Sequence, residues 1–337
     1  MTINPRFLHS VLAIVCLCAF VNLSDELFKV PPHFPQPSYN FKKNPLSIAT
    51  VELGRRLFYD PILSRDSTIS CSSCHLQYTA FTHVDHALSH GIQDRIGTRN
   101  APALMNLAWQ DQFMWDGAIN HLDMQALAPI TNHSEMDENL THVLEKLRRS
   151  TTYPELFEEA FRDTVISSAH FLSAMSQFML TLVSANSKYD RVVLKKDTFS
   201  PQEESGYQLF RQHCNSCHTE PLFTNHQFEN NGLPVDSLLQ DKGRMIVTQN
   251  PTDAYKFKVP TLRNIEFSMP YMHDGRFKRL SEVLRHYTSD FTRESTTSPR
   301  LSKPIALTSN DKVDLIAFLL TLTDRSFLFD PRFSYPK

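Results

Sequence analysis

The sequence predicts a mainly α-helical protein made of two related units, and three observations carry that expectation. Four of its six cysteines fall in two clusters, CSSCH (Cys71, Cys74, His75) and CNSCH (Cys214, Cys217, His218). The frame E-x-G-x-x-L-F precedes each cluster, as ELGRRLF (Glu52 to Phe58) and ESGYQLF (Glu204 to Phe210). A similar apolar segment follows each, FMLTLVS (Phe178 to Ser184) and FLLTLTD (Phe318 to Asp324). The same order met twice reads as duplication of one unit. Secondly, the flanking segments have helical periodicity. In LTSNDKVDLIAFLLTL, Thr308 or Ser309 is an N-cap, and Val313, Ile316, Ala317 and Leu320 follow at helical spacing; ISSAHFLSAMSQFMLTL behaves alike. Thirdly, no strong run alternates apolar and polar residues as a strand would, and 8 Gly against 20 Pro suit helices joined by stiff loops.

Taken in order, the chain opens on FLHSVLAIVCLCAFV (Phe7 to Val21), an apolar run behind Arg6. It is short for a membrane span and fits the apolar region of a signal peptide. Residues 1–24 are therefore expected to be a signal peptide or N-terminal anchor, and the protein to be periplasmic or otherwise exported. Cys16 and Cys18 belong to this run, and the context LAIVC lacks the small residue usual before a lipoprotein cysteine. Residues 25–44, with VPPHFPQPSYNF, read as a Pro-rich linker. The first unit then spans 45–197 and the second 198–337, with the polar stretch SKYDRVVLKKDTFSPQEE (Ser187 to Glu204) at the boundary. With 337 residues, 41% hydrophobic, and a net charge of -2, the chain is a soluble globular protein without the basic excess of a nucleic-acid binder.

Cys-x-x-Cys-His is the pattern of c-type haem attachment. The two thiols add to the haem vinyl groups, and the adjoining histidine reaches the iron from one face. A four-thiolate zinc site would bring both pairs together, yet each pair carries its own histidine and the pairs are far apart in sequence. A thioredoxin-like redox motif would need a βαβ context. Each unit is thus expected to be a cytochrome c-like domain with one covalently bound haem, ligated by His75 and His218.

A second ligand for the later haem is sought in RFKRLSEVLRHY. Leu280, Val283, Leu284 and Tyr287 recur on one helical face, which should point inward, whereas His286 falls outside that stripe. By itself, a tyrosine so placed reads as a core aromatic.

As a set, LGRRLFYDPILSRDSTISCSSCH, GTRNAPALMN, MWDGAINHLDMQALAPITNHSEM, CNSCH, FKVPTLRNIEFSMPYMHDGRFKRLSEVLRHY and LIAFLLTLTD resemble the bacterial di-haem cytochrome c peroxidase family, which includes the MauG-type enzymes. The resemblance covers roughly Pro45 to Asp324. It implies that the first haem is the peroxide site and the second handles electrons. Gln125 and Glu135 match distal-pocket residues, with Glu135 as the acid–base group. Trp115 matches the aromatic residue between the haems. Most members read W-D-G-R there, whereas this chain has Ala118 in place of the arginine. The resemblance also implies a calcium ion held by the Asn100 side chain and the carbonyls of Ser268 and Pro270. In many members a loop histidine closes the resting first haem. His90 lies nearest that position, but the segment to Arg99 is longer than in those members, so a solvent-exposed loop histidine is the preferred reading. Tyr287 stands where peroxidases of the family carry methionine and MauG-type enzymes carry tyrosine, which makes it the expected ligand of the second iron. Met269, Met272 and His273 belong to the preceding loop.

The expected function is reduction of hydrogen peroxide to water, with electrons from a small cytochrome c or cupredoxin-like donor. The alternative is a MauG-type oxidase that modifies a protein partner by long-range electron transfer. A pure electron carrier would need no acid–base pair such as Gln125 and Glu135. Family members are often homodimers.

Overall fold

The computed structural model describes residues 27–289 and 293–336. The expected signal peptide or anchor, with Cys16 and Cys18, lies outside the described residues. Among those described, no helix is long and apolar enough to cross a membrane.

The first half carries α1 (Ile48–Tyr59), α2 (Cys71–Cys74), α3 (Leu122–Gln125), α4 (Leu127–Thr131), α5 (Leu140–Arg149), α6 (Tyr153–Phe161) and α7 (Ser168–Thr181). After α8 (Lys188–Val193), in the polar boundary stretch, the second carries α9 (Pro201–His213), α10 (Met245–Thr248), α11 (Leu280–Thr288), α12 (Ser309–Leu320) and α13 (Arg325–Leu328). The only strands among the described residues, β1 (Phe228–Glu229) and β2 (Phe257–Lys258), pair antiparallel with Phe228 opposite Lys258. The mainly helical expectation therefore holds.

Side-chain caps start the principal helices. Ser47 accepts from Thr50 N at 3.1 Å, Ser167 from His170 N at 3.1 Å, and Thr308 from Asp311 N at 3.1 Å. Asp311 in turn accepts from Thr308 N at 2.8 Å, which completes a capping box.

The repeated frame has a packing reason. α1 crosses α7 at Gly54, where an added Cβ would lie 1.9 Å from the Ala174 carbonyl oxygen and 3.0 Å from the Phe178 Cβ. α9 crosses α12 at Gly206, where an added Cβ would lie 1.9 Å from the Asp314 oxygen and 2.9 Å from the Phe318 Cβ. Only glycine lets the helix backbones approach so closely. The Leu-Phe that ends each frame brings Phe58 and Phe210 into the two cores.

Two expectations change. On α12 the buried residues are Leu315, Phe318 and Leu319, while Val313 and Leu320 are 55% and 41% exposed. Apolar residues occupy most of this helix, so periodicity could not select a face; the crossing at Gly206 does. Residues 27–44 do not form a free linker. Phe34 is buried, Trp109 Nε1 donates to the Pro35 carbonyl at 2.8 Å, and Tyr39 and Phe41 pack against the first core. The polar boundary stretch is anchored too. Asp190 accepts two bonds from Arg263, at 2.7 and 2.9 Å, and meets His33 Nε2 at 2.7 Å. Asp190 and Arg263 are both fully buried, so this paired charge ties the N-terminal segment to the second half.

The halves are also joined through the C-terminus. Asp324 accepts from the backbone of Ala185 and Asn186 at 3.0 and 2.9 Å. Beyond it, Phe327, Leu328 and Phe333 return to the first core.

Candidate functional site

Both Cys-x-x-Cys-His motifs adopt the same local geometry. Cys71 and Cys74 lie on the single turn of α2, and His75 N donates to the Cys71 carbonyl at 3.0 Å. At the end of α9, His218 N donates to the Cys214 carbonyl at 2.9 Å. Residues three apart on a helical turn share a face, so each sulfur pair faces one cavity.

Each histidine is oriented through its other nitrogen. His75 Nδ1 meets the Phe81 carbonyl at 2.7 Å, and His218 Nδ1 meets the carbonyls of Pro260 and Phe223 at 3.1 and 3.3 Å. A carbonyl only accepts, so the proton sits on Nδ1 and the Nε2 lone pair is free for a metal. Burial pushes both imidazoles down to about 4, which keeps them neutral. It also pushes the thiols of Cys71 and Cys214 up to about 12.

The first cavity gathers Cys71, Cys74 and His75 with Gln125, Glu135 and His90. Glu135 accepts from Asn132 Nδ2 at 2.7 Å, yet burial still raises its carboxyl above the ordinary range. Gln125 Nε2 approaches Met114 Sδ at 3.9 Å. His90 is a quarter exposed on its side chain; its ring stacks on His86 at 4.1 Å and its Nδ1 meets Asp94 at 3.2 Å. Sequence reading missed Gly91. An added Cβ there would lie 2.2 Å from the Ser134 oxygen and 2.3 Å from the Glu135 oxygen, so the loop after His90 presses directly on the backbone that carries Glu135. The glycine between His90 and Ile92 was the available signal.

The second cavity, of about 280 Å³, is walled by Cys214, Cys217, His218, Trp115 and Tyr287. Leu280, Val283 and Leu284 line it beside Tyr287, as their shared helical face requires. His286 instead turns to the Asn231 carbonyl at 3.0 Å. Tyr287 Oη lies 3.3 Å from Asn231 Nδ2, and burial pushes its phenol up to about 12. Met272 also reaches this wall, its sulfur 3.6 Å from the same Asn231 nitrogen. Linear order had set Met272 aside as a loop residue. His273 stacks on Phe257 at 3.7 Å.

Trp115 is pinned between the halves. Its Nε1 donates to the Asn100 carbonyl at 2.8 Å, and its own carbonyl accepts from Lys258 N at 2.7 Å. Lys258 Nζ bonds to Gln110 Oε1 and the Gln112 carbonyl at 3.0 and 2.8 Å, and desolvation lowers its ammonium to about 8. Asn100, Ser268 and Pro270 lie on the same wall. Asn100 Nδ2 is committed to the Ala87 carbonyl at 2.9 Å, which leaves the side-chain oxygen as the available donor to a cation. Beside Ala118, Asp116 is engaged by two arginines from elsewhere in the chain. Arg99 pairs with Asp116 and Asp241 at 2.6 Å each, and Arg244 donates to the Asp116 carbonyl at 2.8 Å.

A helical fold with two separate Cys-x-x-Cys-His cavities, one bordered by a partly buried carboxyl group, fits a class of haem-binding redox proteins. The comparisons specify it. Residues 48–198 match the family model of the di-haem cytochrome c peroxidases. The methylamine utilization protein MauG of Methylophilus methylotrophus is 32% identical over 302 residues, covering 88% of each chain. The cytochrome c551 peroxidase of Nitrosomonas europaea is 34% identical over 279 residues, covering 81% of this chain and 79% of its own. Among solved structures, a MauG-like protein associated with microbial copper homeostasis superposes with a TM-score of 0.82 at 32% identity, covering 92% of this chain and 99% of that one. The chain belongs to the di-haem cytochrome c peroxidase family, which implies two haems.

Proposed function

We propose that this protein is an exported di-haem peroxidase that reduces hydrogen peroxide to water at its first site and receives electrons through its second. The observation that carries this reading is the convergence of Gln125 and Glu135 on the cavity of Cys71, Cys74 and His75. Family membership supports it.

The residues present fit two covalent haems, one per cytochrome c-like domain with the division near residue 197. Cys71 and Cys74 hold the first, Cys214 and Cys217 the second, with His75 and His218 as iron ligands. The haems supply the redox-active iron at which peroxide is cleaved and through which electrons pass. The protein supplies proton handling. Glu135 takes the proton from one peroxide oxygen and returns it to the other, so that water is the leaving group. Its raised pKa suits a group that must hold and release that proton. Gln125 orients the bound peroxide, and Trp115 relays electrons between the sites. His90 is engaged by Asp94 and His86, in keeping with a first site open at rest.

Tyr287 is the second-site iron ligand in this reading. A calcium ion between the sites fits the Asn100 side-chain oxygen with the carbonyls of Ser268 and Pro270, since hard neutral oxygens and waters suit that ion. Export follows from the N-terminal run and from attachment of c-type haem outside the cytoplasm. The donor is a small cytochrome c or cupredoxin-like protein, and a homodimer is the assembly that family practice suggests.

Glu135→Gln is the test. Both haems should remain while peroxide turnover falls by roughly 10²–10⁴-fold; unchanged turnover would move the proton transfer elsewhere. One observation favours a second reading: Tyr287, on the wall of the second cavity, where a MauG-type oxidase acting on a protein partner would also place it. Turnover with a cytochrome c donor distinguishes the two, since a partner-modifying oxidase would turn over poorly with that donor.

A further inference from the structure

Residues 333–335 pack against α1, which borders the first cavity. Phe58 lines that cavity with Cys71. The Tyr59 ring meets Phe58 at 5.4 Å, and the Tyr335 ring meets Tyr59 at 5.6 Å, both edge to face. Tyr335 is 68% exposed. The tail that carries it is held in register: Tyr59 Oη donates to the Phe333 carbonyl at 2.7 Å, and Arg55 donates to the Ser334 carbonyl at 3.0 Å. A continuous row of aromatic rings thus leads from the first cavity to water, on a side of the molecule that does not use Trp115 or the second cavity.

We propose that Tyr335 is a surface oxidation site, reached from the first cavity through Phe58 and Tyr59, at which small phenolic reductants give up electrons. This rests on the reading of the first cavity as the peroxide site. Each turnover balances as one hydrogen peroxide plus two phenols giving two waters and two phenoxyl radicals; each phenol loses one electron and one proton.

Proton placement decides where the oxidising equivalent rests. A tyrosine that loses an electron must also shed its phenolic proton. Tyr59 donates to a backbone carbonyl, which is no base, and burial pushes its phenol up to about 12. Its oxidation does not settle there. Tyr335 releases its proton to water and is within reach of a donor in solution. Tyr153 is the internal competitor, because its hydroxyl donates to Asp60 Oδ2 at 2.6 Å; it is buried and meets no external reductant.

The experiment treats the protein carrying both haems with hydrogen peroxide and a nitroso spin trap, without donor, and maps the trapped radical by peptide mass spectrometry. The label is expected on Tyr335, lost in Tyr335→Phe and several-fold weaker in Tyr59→Phe. Oxidation of guaiacol, a small phenol, should fall in the same variants and return in Tyr335→Trp, which restores an oxidisable ring; a purely structural role would not follow that order. Peroxide turnover with ferrocytochrome c should stay at the wild-type level. Peroxide consumption without label on Tyr335, label on Tyr153 instead, or label on Tyr335 indifferent to Tyr59→Phe would each overturn the proposal. Absence of peroxide consumption by the wild type would overturn the underlying peroxide-site reading, a separately visible result.

Discussion

Gly206→Ala inserts a Cβ 1.9 Å from the Asp314 carbonyl oxygen and 2.9 Å from the Phe318 Cβ. Non-bonded heavy atoms settle at about 3.5–4.0 Å, so α9 and α12 must part locally by more than an ångström. The obstructing atom is backbone on a helix, and no rotamer change relieves it. Alanine in place of glycine inside a helix is otherwise worth about 1 kcal/mol in its favour. Overpacking of this kind costs about 1–3 kcal/mol. Because the clash is severe, we expect its upper range and a net loss of about 2 kcal/mol. The consequence reaches the site, since α9 ends at His213 and Cys214 follows directly. Urea unfolding of the haem-loaded protein, followed by helical circular dichroism and by second-haem absorbance, is the assay. The sign is decisive: a variant as stable as wild type, or more so, would show that the crossing is loose and that the glycine of the repeated frame has another cause. Gly54→Ala probes the matching crossing at Ala174 and should behave alike.

Burial raises the Glu135 carboxyl, and its carboxylate is the form that accepts the peroxide proton. The rate should therefore rise with pH through a limb above the ordinary Glu value of about 4.3, and Glu135→Gln should abolish that limb in a kcat/KM profile. Tyr287→Met should raise the second-haem reduction potential, because thioether sulfur favours ferrous iron and phenolate favours ferric iron. Identical potentiometric curves for the two proteins would make Tyr287 a core residue only. If calcium is held as proposed, a chelator should release one ion per chain by elemental analysis and slow electron transfer between the haems, since Asn100, the proposed ligand, also holds Trp115 Nε1 through its carbonyl. Protein prepared in calcium that contains none of it would refute the site.

Where local chemistry is self-contained, it was legible in linear order. Thr308 as a cap, the inward face of Leu280, Val283, Leu284 and Tyr287, and the exclusion of His286 all follow from helical geometry over a few residues, and the structure agrees. The face of α12 was not legible, because apolar residues surround most of that helix and only its crossing with α9 chooses among them. Nor were the anchoring of residues 27–44 and the buried Asp190–Arg263 pair. Pro-rich and charged stretches resemble linkers by composition, and their burial depends on partners far away in sequence.

The sequence by itself determined the helical class, the repeated frame and the two Cys-x-x-Cys-His motifs, because each depends on spacing within one turn or on a frame repeated along the chain. The tertiary structure alone decided what meets what: Gly91 against the backbone of Glu135, Met272 on the same wall as Tyr287, Arg244 reaching the Asp116 carbonyl beside Ala118, and the C-terminal tyrosine set against α1. These contacts join residues whose sequence separation carries no periodic signal. They exist only because packing the two halves together leaves one low-energy arrangement of their surfaces.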